Sequence, residues 1–262
     1  MKLCRFELLA APGDIKSGIV HSGKIYETDG SNPIAVHEAA DVRPLPPVGQ
    51  PPALRFFRFS DADLTTTPDS LPLYFYGNPG SLIGASQIVP RLDLTAELDY
   101  EAYVAVVIAQ NGTNIPVDQA DGYILGYTIL NALVMRDVER AETRAGFGAG
   151  RSRDYAMALG PVLTTPEELD DDLIDEANGR RHKLSAVARV NGVERRRGDA
   201  EELPYSFAQL ISVASETTML RAGEVIAAGP IVRPDEPFRP LESGDEIHIA
   251  VEKLGTLATK IE

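Results

Sequence analysis

Residues 98–108, Leu-Asp-Tyr-Glu-Ala-Tyr-Val-Ala-Val-Val-Ile, alternate in the way a β-strand requires. Tyr100, Ala102, Val104, Val106 and Ile108 make one apolar face. Asp99, Glu101 and Tyr103 project from the other, because strand side chains repeat every two residues. A second apolar run, Gly126-Tyr127-Thr128-Ile129-Leu130-Asn131-Ala132, follows soon after. Carboxylates at alternate strand positions suit a hard cation, which takes oxygen ligands. Here the third position holds a phenol instead, so the pattern stops short of a cage.

The remaining patterns also read as strand-rich. Residues 3–9, 19–21 and 24–27 predict short strands, and Pro44, Pro46, Pro47, Pro51 and Pro52 mark a linker after them. A strand near 184–190 turns at Asn191-Gly192, a pair suited to a tight hairpin, and returns over 193–196. Ser206 and Gln209 make a capping box ahead of an amphipathic run, which predicts a helix from Phe207 to about Met219. Residues 224–228, 246–251 and 256–261 complete the strands, and the acidic stretch 166–178 belongs on the surface as a helix or loop.

Composition bounds the function. The net charge of −14 excludes the basic footprint that nucleic acid requires and disfavours an anionic membrane surface. There is no apolar run of the roughly 18 residues a membrane helix needs, and the amino terminus lacks a signal-peptide pattern. With one cysteine, Cys4, no internal disulfide forms, and a cytoplasmic location is the expectation. His21, His37, His182 and His248 show no metal-ligand spacing. Gly146-Phe147-Gly148-Ala149-Gly150 lacks the Gly-Lys-Ser/Thr ending of a phosphate loop and reads as glycines that let a lid bend over the pocket.

An ordered set of segments resembles the fumarylacetoacetate hydrolase family. The strand at 98–108 is similar to that family's Asp-Tyr-Glu-x-Glu-Leu, and Asn131-Ala132 falls where its Asn-Asp stands. Pro79-Gly80-Ser81-Leu82-Ile83-Gly84, Leu159-Gly160-Pro161, Val190-Asn191-Gly192, Ser243-Gly244-Asp245 and Gly255-Thr256-Leu257 follow in family order. The resemblance implies an α+β, β-rich fold: a mixed β-sandwich roll in residues 49–262, with a small amino-terminal β domain and linker in residues 1–48. It also implies a homodimer.

The same resemblance implies an altered centre. The family holds Mg²⁺ or a similar ion with two glutamates and an aspartate. Glu101 matches the first, but Tyr103 and Ala132 stand in the other two places. The family's active-site lysine falls on Arg151, with the following aspartate kept as Asp154. The Gly-Thr-Pro segment is reduced to Gly229-Pro230, and no Asp-His is found in Arg58-Phe59-Ser60-Asp61-Ala62-Asp63.

The resulting expectation is an enzyme without a metal cofactor, acting on a small anionic 2-oxo acid or 1,3-dicarbonyl compound by C–C hydrolysis, decarboxylation, hydration or tautomerisation. Arg151 anchors the substrate, Tyr103 polarises its carbonyl, and Glu101 or Asp154 moves the proton. The alternative is an inactive family member with a binding, scaffolding or hetero-oligomer role. A metal site recruiting Asp99 beside Glu101 is a third reading.

Overall fold

A computed structural model describes residues 1–30, 32–59, 72–232 and 238–262. Residues 60–63, compared above with the family's Asp-His, lie outside these. Among the described residues, twelve strands form the larger sheet. From one edge its order is Pro33–Glu38, Lys24–Thr28, Ala11–His21, Lys2–Leu8, Met157–Thr164, Ile124–Met135, Leu98–Ile108, Val225–Val232, Leu54–Arg58 and Tyr74–Gly77. Val42–Leu45 adds to Lys2–Leu8, and Leu82–Ile83 adds to Met157–Thr164. The first strand joins the core directly, Lys2 pairing with Thr164 and Leu3 with Leu163. The amino-terminal strands therefore extend the sheet that carries the central pair.

A second sheet runs Val193–Asp199, Ser185–Val190, Glu246–Val251, Gly255–Ile261 and Gln87–Val89. Ala186, Ala188, Val190, Ile247, Ile249 and Leu257 from this sheet share one core with Val104, Val106, Ile108 and Ile129 from the first. Fully burying a Val, Leu or Ile side chain stabilises the fold by about 1.5–3 kcal/mol, so this interface is the main source of cohesion. The other face of the central strand is also covered. Tyr103, Ala105 and Val107 pack with Leu54, Phe56, Leu130 and Leu159 in a second cluster. All eleven residues of Leu98–Ile108 are buried as a result, and the polar residues on its second face are enclosed.

The turn and cap chemistry follows the sequence. Asn191 and Gly192 both adopt positive φ, 53° and 76°, between the strands they connect. The capping-box helix spans Phe207–Thr217 and buries Phe207, Ala208, Leu210, Ile211 and Ala214. Ser206 Oγ accepts from the Gln209 N–H at 3.2 Å, and Gln209 Oε1 accepts from the Ser206 N–H at 2.9 Å. Ser206 Oγ also donates to the Asn178 carbonyl, so one hydroxyl ties the helix start to a preceding loop. Ser206→Ala should cost about 1–2 kcal/mol of unfolding free energy, measured by urea denaturation. A loss below a few tenths of a kcal/mol would show that the cap is not stabilising.

The acidic stretch forms a 3₁₀ helix, Pro166–Asp172, with a buried Leu169. Cys4 is buried and unpaired in its strand, and burial pushes its thiol up to about 11. Among the described residues no helix is long and apolar enough to cross a membrane.

Candidate functional site

Glu101 sits in the middle of a buried cluster of charged side chains. It lies on Leu98–Ile108 with Tyr103 two residues further along, hence on the same face, and its register partner on the next strand is Ala132. Its carboxylate is fully buried, yet six donor contacts reach it. Arg153 approaches with both terminal nitrogens, Nη1 at 2.5 Å from Oε2 and Nη2 at 3.0 Å from Oε1. Arg136 Nη1 donates to Oε1 at 2.8 Å, and Arg58 Nη2 reaches the same oxygen at 3.2 Å. The Tyr103 hydroxyl donates to Oε2 at 2.5 Å. A carboxylate offers about four lone-pair sites, so Glu101 is saturated.

Each cation is delivered by a different element. Arg58 ends the strand Leu54–Arg58, which pairs in parallel with Val225–Val232. Arg136 opens the helix Arg136–Arg144, which follows directly on Ile124–Met135. Arg153 closes a short 3₁₀ turn, Arg151–Arg153. Asp99 and Glu139 complete the balance: Arg136 Nε donates to Asp99 at 2.7 Å, and Arg153 Nη2 donates to Glu139 at 2.6 Å. The Phe56 ring meets Tyr103 edge-on at 5.1 Å and stacks on Phe75, which in turn carries the Arg153 guanidinium over its face. Gly229 completes the wall, for a Cβ there would lie 2.8 Å from Tyr103 Cδ1.

The electrostatics follow from this enclosure. Burial alone raises a carboxyl pKa, but at Glu101 the charges of Arg153, Arg136 and Arg58 overcome burial and hold it well below the usual carboxylate range. At Glu139 the same contest, against Arg153 and Arg136, also ends below the ordinary value. At Asp99 burial wins, and its pKa is raised despite Arg136. Burial and then the negative charge of Glu101 push the Tyr103 phenol far above its ordinary value, so it stays protonated and serves as a donor.

Beside this cluster opens a cavity of about 310 Å³. Arg58, Arg153 and Glu139 line it, as do Glu142 from the same helix and Phe147 from the glycine-rich bend. Arg58 is the most accessible of the three guanidiniums, its side chain being 39% exposed against 5% for Arg153. Glu142 is fixed by Ser152, whose N–H and hydroxyl donate to it at 3.2 and 2.5 Å. Among the described residues no arginine or lysine pairs with Glu142, which separates it from the other carboxylates here.

Of the four residues singled out in the sequence, Glu101 and Tyr103 are in direct contact, whereas Arg151 and Asp154 are exposed. Asp154 accepts from Asn78 Nδ2 at 2.7 Å and from the Ser81 hydroxyl at 3.0 Å. Arg151 and Arg153 lie two-thirds of a 3₁₀ turn apart, so when one faces the core the other faces solvent. The inward place goes to Arg153. Glu139 and Glu142, which the sequence alone did not single out, are three residues apart on one helix, a spacing that shares a face but could be read only with that helix in hand. Arg58 and Arg136 carried no local signal, because they reach Glu101 only through sheet pairing. Among the described residues no group of three or more His, Cys, Asp or Glu side chains is arranged to hold a metal ion.

Residues 56–262 match the sequence family described as fumarylacetoacetate (FAA) hydrolase, C-terminal. The chain belongs to the fumarylacetoacetate hydrolase family. It is 33% identical over 194 residues to an oxaloacetate tautomerase of Bacillus subtilis, a stretch covering 72% of this chain and 61% of that protein. The fold is that of a fumarylacetoacetate hydrolase from Exiguobacterium antarcticum, with TM-score 0.80, 24% identity, and 100% and 99% of the two chains covered. It is equally that of a 5-carboxymethyl-2-hydroxymuconate delta-isomerase from Mycobacterium smegmatis, with TM-score 0.79, 23% identity, and 100% and 98% covered.

Proposed function

We propose that the chain is an enzyme that interconverts the keto and enol forms of a small 2-oxo acid without a divalent metal. The observation that carries this reading is the saturated Glu101 carboxylate at the edge of an open cavity. Mg²⁺ takes oxygen ligands in near-octahedral geometry and relies on carboxylates to offset its dehydration. Here the matching carboxylate already has three guanidiniums against it, Ala132 beside it offers no donor atom, and Tyr103 keeps its proton. A divalent ion would enter against three permanent positive charges, so these residues do not fit one.

Tautomerisation suits what the cavity retains. The reaction moves one proton and builds negative charge on one oxygen. The guanidinium of Arg58, the more exposed of the two that line the cavity, supplies a charged donor for a substrate carboxylate, and the fixed positive charge of Arg153 favours the oxygen that gains charge. Glu142 takes the enol hydroxyl proton and returns it to carbon, being the lining carboxylate that no arginine or lysine among the described residues pairs with. Glu101 holds the guanidiniums in position and moves no proton. The similarity to a tautomerase supports the same class of reaction.

Oxalate, which mimics the enolate, tests the site. By titration calorimetry it should bind in the presence of a chelator and gain nothing from added Mg²⁺. Arg58→Gln should weaken it at least about tenfold, as expected for loss of a charged hydrogen bond. Ketonisation of oxo-acid enols, followed by loss of enol absorbance, should fall in parallel. Binding that appears only with metal would overturn the proposal. A second reading has one observation behind it: Arg58, Arg136 and Arg153 are matched in number by Asp99, Glu101 and Glu139, as in a site closed on itself. No oxalate binding and no turnover would favour that inactive, partner-binding form.

A further inference from the structure

We infer that this cavity selects a monoanionic 2-oxo acid carrying an apolar or aromatic substituent, and rejects 2-oxo dicarboxylates. The inference deepens the proposed function and rests on its reading of the cavity as a substrate site. Four charged side chains line the space, Arg58 and Arg153 against Glu139 and Glu142. Arg153 is already engaged twice, by Glu101 and by Glu139. Arg58, more exposed, is left as the main anchor for one substrate carboxylate. A second carboxylate would meet no further lining cation among the described residues, and would have Glu139 and Glu142 as neighbours. Like charges brought together with partial loss of water repel strongly.

Apart from Thr143, the rest of the lining is aromatic, aliphatic or glycine. Phe75 carries Arg153 over its ring at 5.3 Å, so the cationic and aromatic parts of the wall are continuous. Tyr74 sits next to it in the strand, and Leu73 and Phe147 also line the space while remaining 79% and 73% exposed. Large apolar side chains so exposed at one cavity offer surface that an apolar substituent would cover. Each buried methylene is worth about fourfold in affinity. Phe147 lies between Gly146, with φ 77°, and Gly148, where an added Cβ meets nothing within 4 Å. Substitution at 147 therefore disturbs little of the packed fold.

Two non-enolisable 2-oxo acids separate binding from turnover: benzoylformate, with one carboxylate and a phenyl ring, and ketomalonate, with two carboxylates. By calorimetry on the full chain, benzoylformate should bind at least about tenfold tighter, a ratio within what one apolar pocket contributes. Phe147→Ser and Leu73→Ser should each reduce that ratio several-fold, with thermal unfolding confirming that both variants fold. Ketomalonate binding equally or more tightly, or a ratio unmoved in both variants, would overturn the inference. The catalytic reading fails separately: benzoylformate preferred while no enol, phenylpyruvate included, is ketonised would refute the tautomerase and leave this selectivity standing. Oxaloacetate enol ketonised faster than phenylpyruvate enol would refute the selectivity and leave the tautomerase. Neither probe binding would remove both.

Discussion

Glu101→Ala should destabilise the protein by about 3–5 kcal/mol, the usual cost of removing one partner from a buried charge network. The carboxylate is fully buried, and three guanidiniums converge on it. Without it, Arg136 keeps Asp99 and Glu139, and Arg153 keeps Glu139, but Arg58 loses its carboxylate partner and the three guanidiniums are left with two carboxylates in place of three. Thermal unfolding and urea denaturation would measure the loss. A change within about 0.5 kcal/mol, as at an ordinary surface position, would show that the network is not the structural centre described here. The pH dependence has a definite sign. Because the folded pKa of Glu101 lies below its ordinary value of 4.5, its contribution to stability is fully present above that value. The contribution is lost progressively as pH falls below about 4.5 towards the folded pKa. Glu101→Gln, which keeps the shape and removes the titration, should be less stable at neutral pH and flatter across the acid range.

The locally determined parts of this architecture were legible in the residues, whereas strands such as Leu54–Arg58 and Met157–Thr164 and the helix Arg136–Arg144 were not. The alternation of 98–108, the Asn191-Gly192 turn and the Ser206/Gln209 cap act over a few residues, and each fixes a local geometry whose outcome does not depend on distant packing. Alternation did less well at saying what each face of the central strand meets. Asp99, Glu101 and Tyr103 share a face, but that face is enclosed by Leu54, Phe56 and Leu130, which belong to strands distant in sequence or paired beside it. The site was legible only at its base. Arg151 is two residues from Arg153, and the choice between them is made by the phase of a single 3₁₀ turn, which residue types do not specify. Arg58 and Glu101 are brought together across Val225–Val232, a neighbour relation set by strand order. Glu139 and Glu142 share a face by their spacing only once the segment is known to be helical, and no helix was read there from the sequence.

Ala132→Asp should be destabilising, by about 2–4 kcal/mol, and millimolar Mg²⁺ or Mn²⁺ should not restore the loss. The substitution puts back the acid that the family resemblance expects after Asn131, at a position 1% exposed and directly across the strand pair from Glu101. Opposed residues in an antiparallel pair point to the same side, so the new carboxylate would lie beside Glu101. Its desolvation would be offset only by drawing Arg153 or Arg136 away from partners they already hold. A metal site would need those guanidiniums removed, and the phenol of Tyr103 replaced by a carboxylate, before an added acid helped. Ligand binding to the folded state raises the unfolding temperature by an amount that grows with the logarithm of the ratio of ligand concentration to dissociation constant. A clear rise with Mg²⁺ or Mn²⁺, in the variant or in the unaltered chain, would therefore show that the arginines yield to a metal. No rise in either, with oxalate still bound, would mean that fixed guanidiniums, Arg58 and Arg153 at the cavity wall, hold the anion here without a divalent ion.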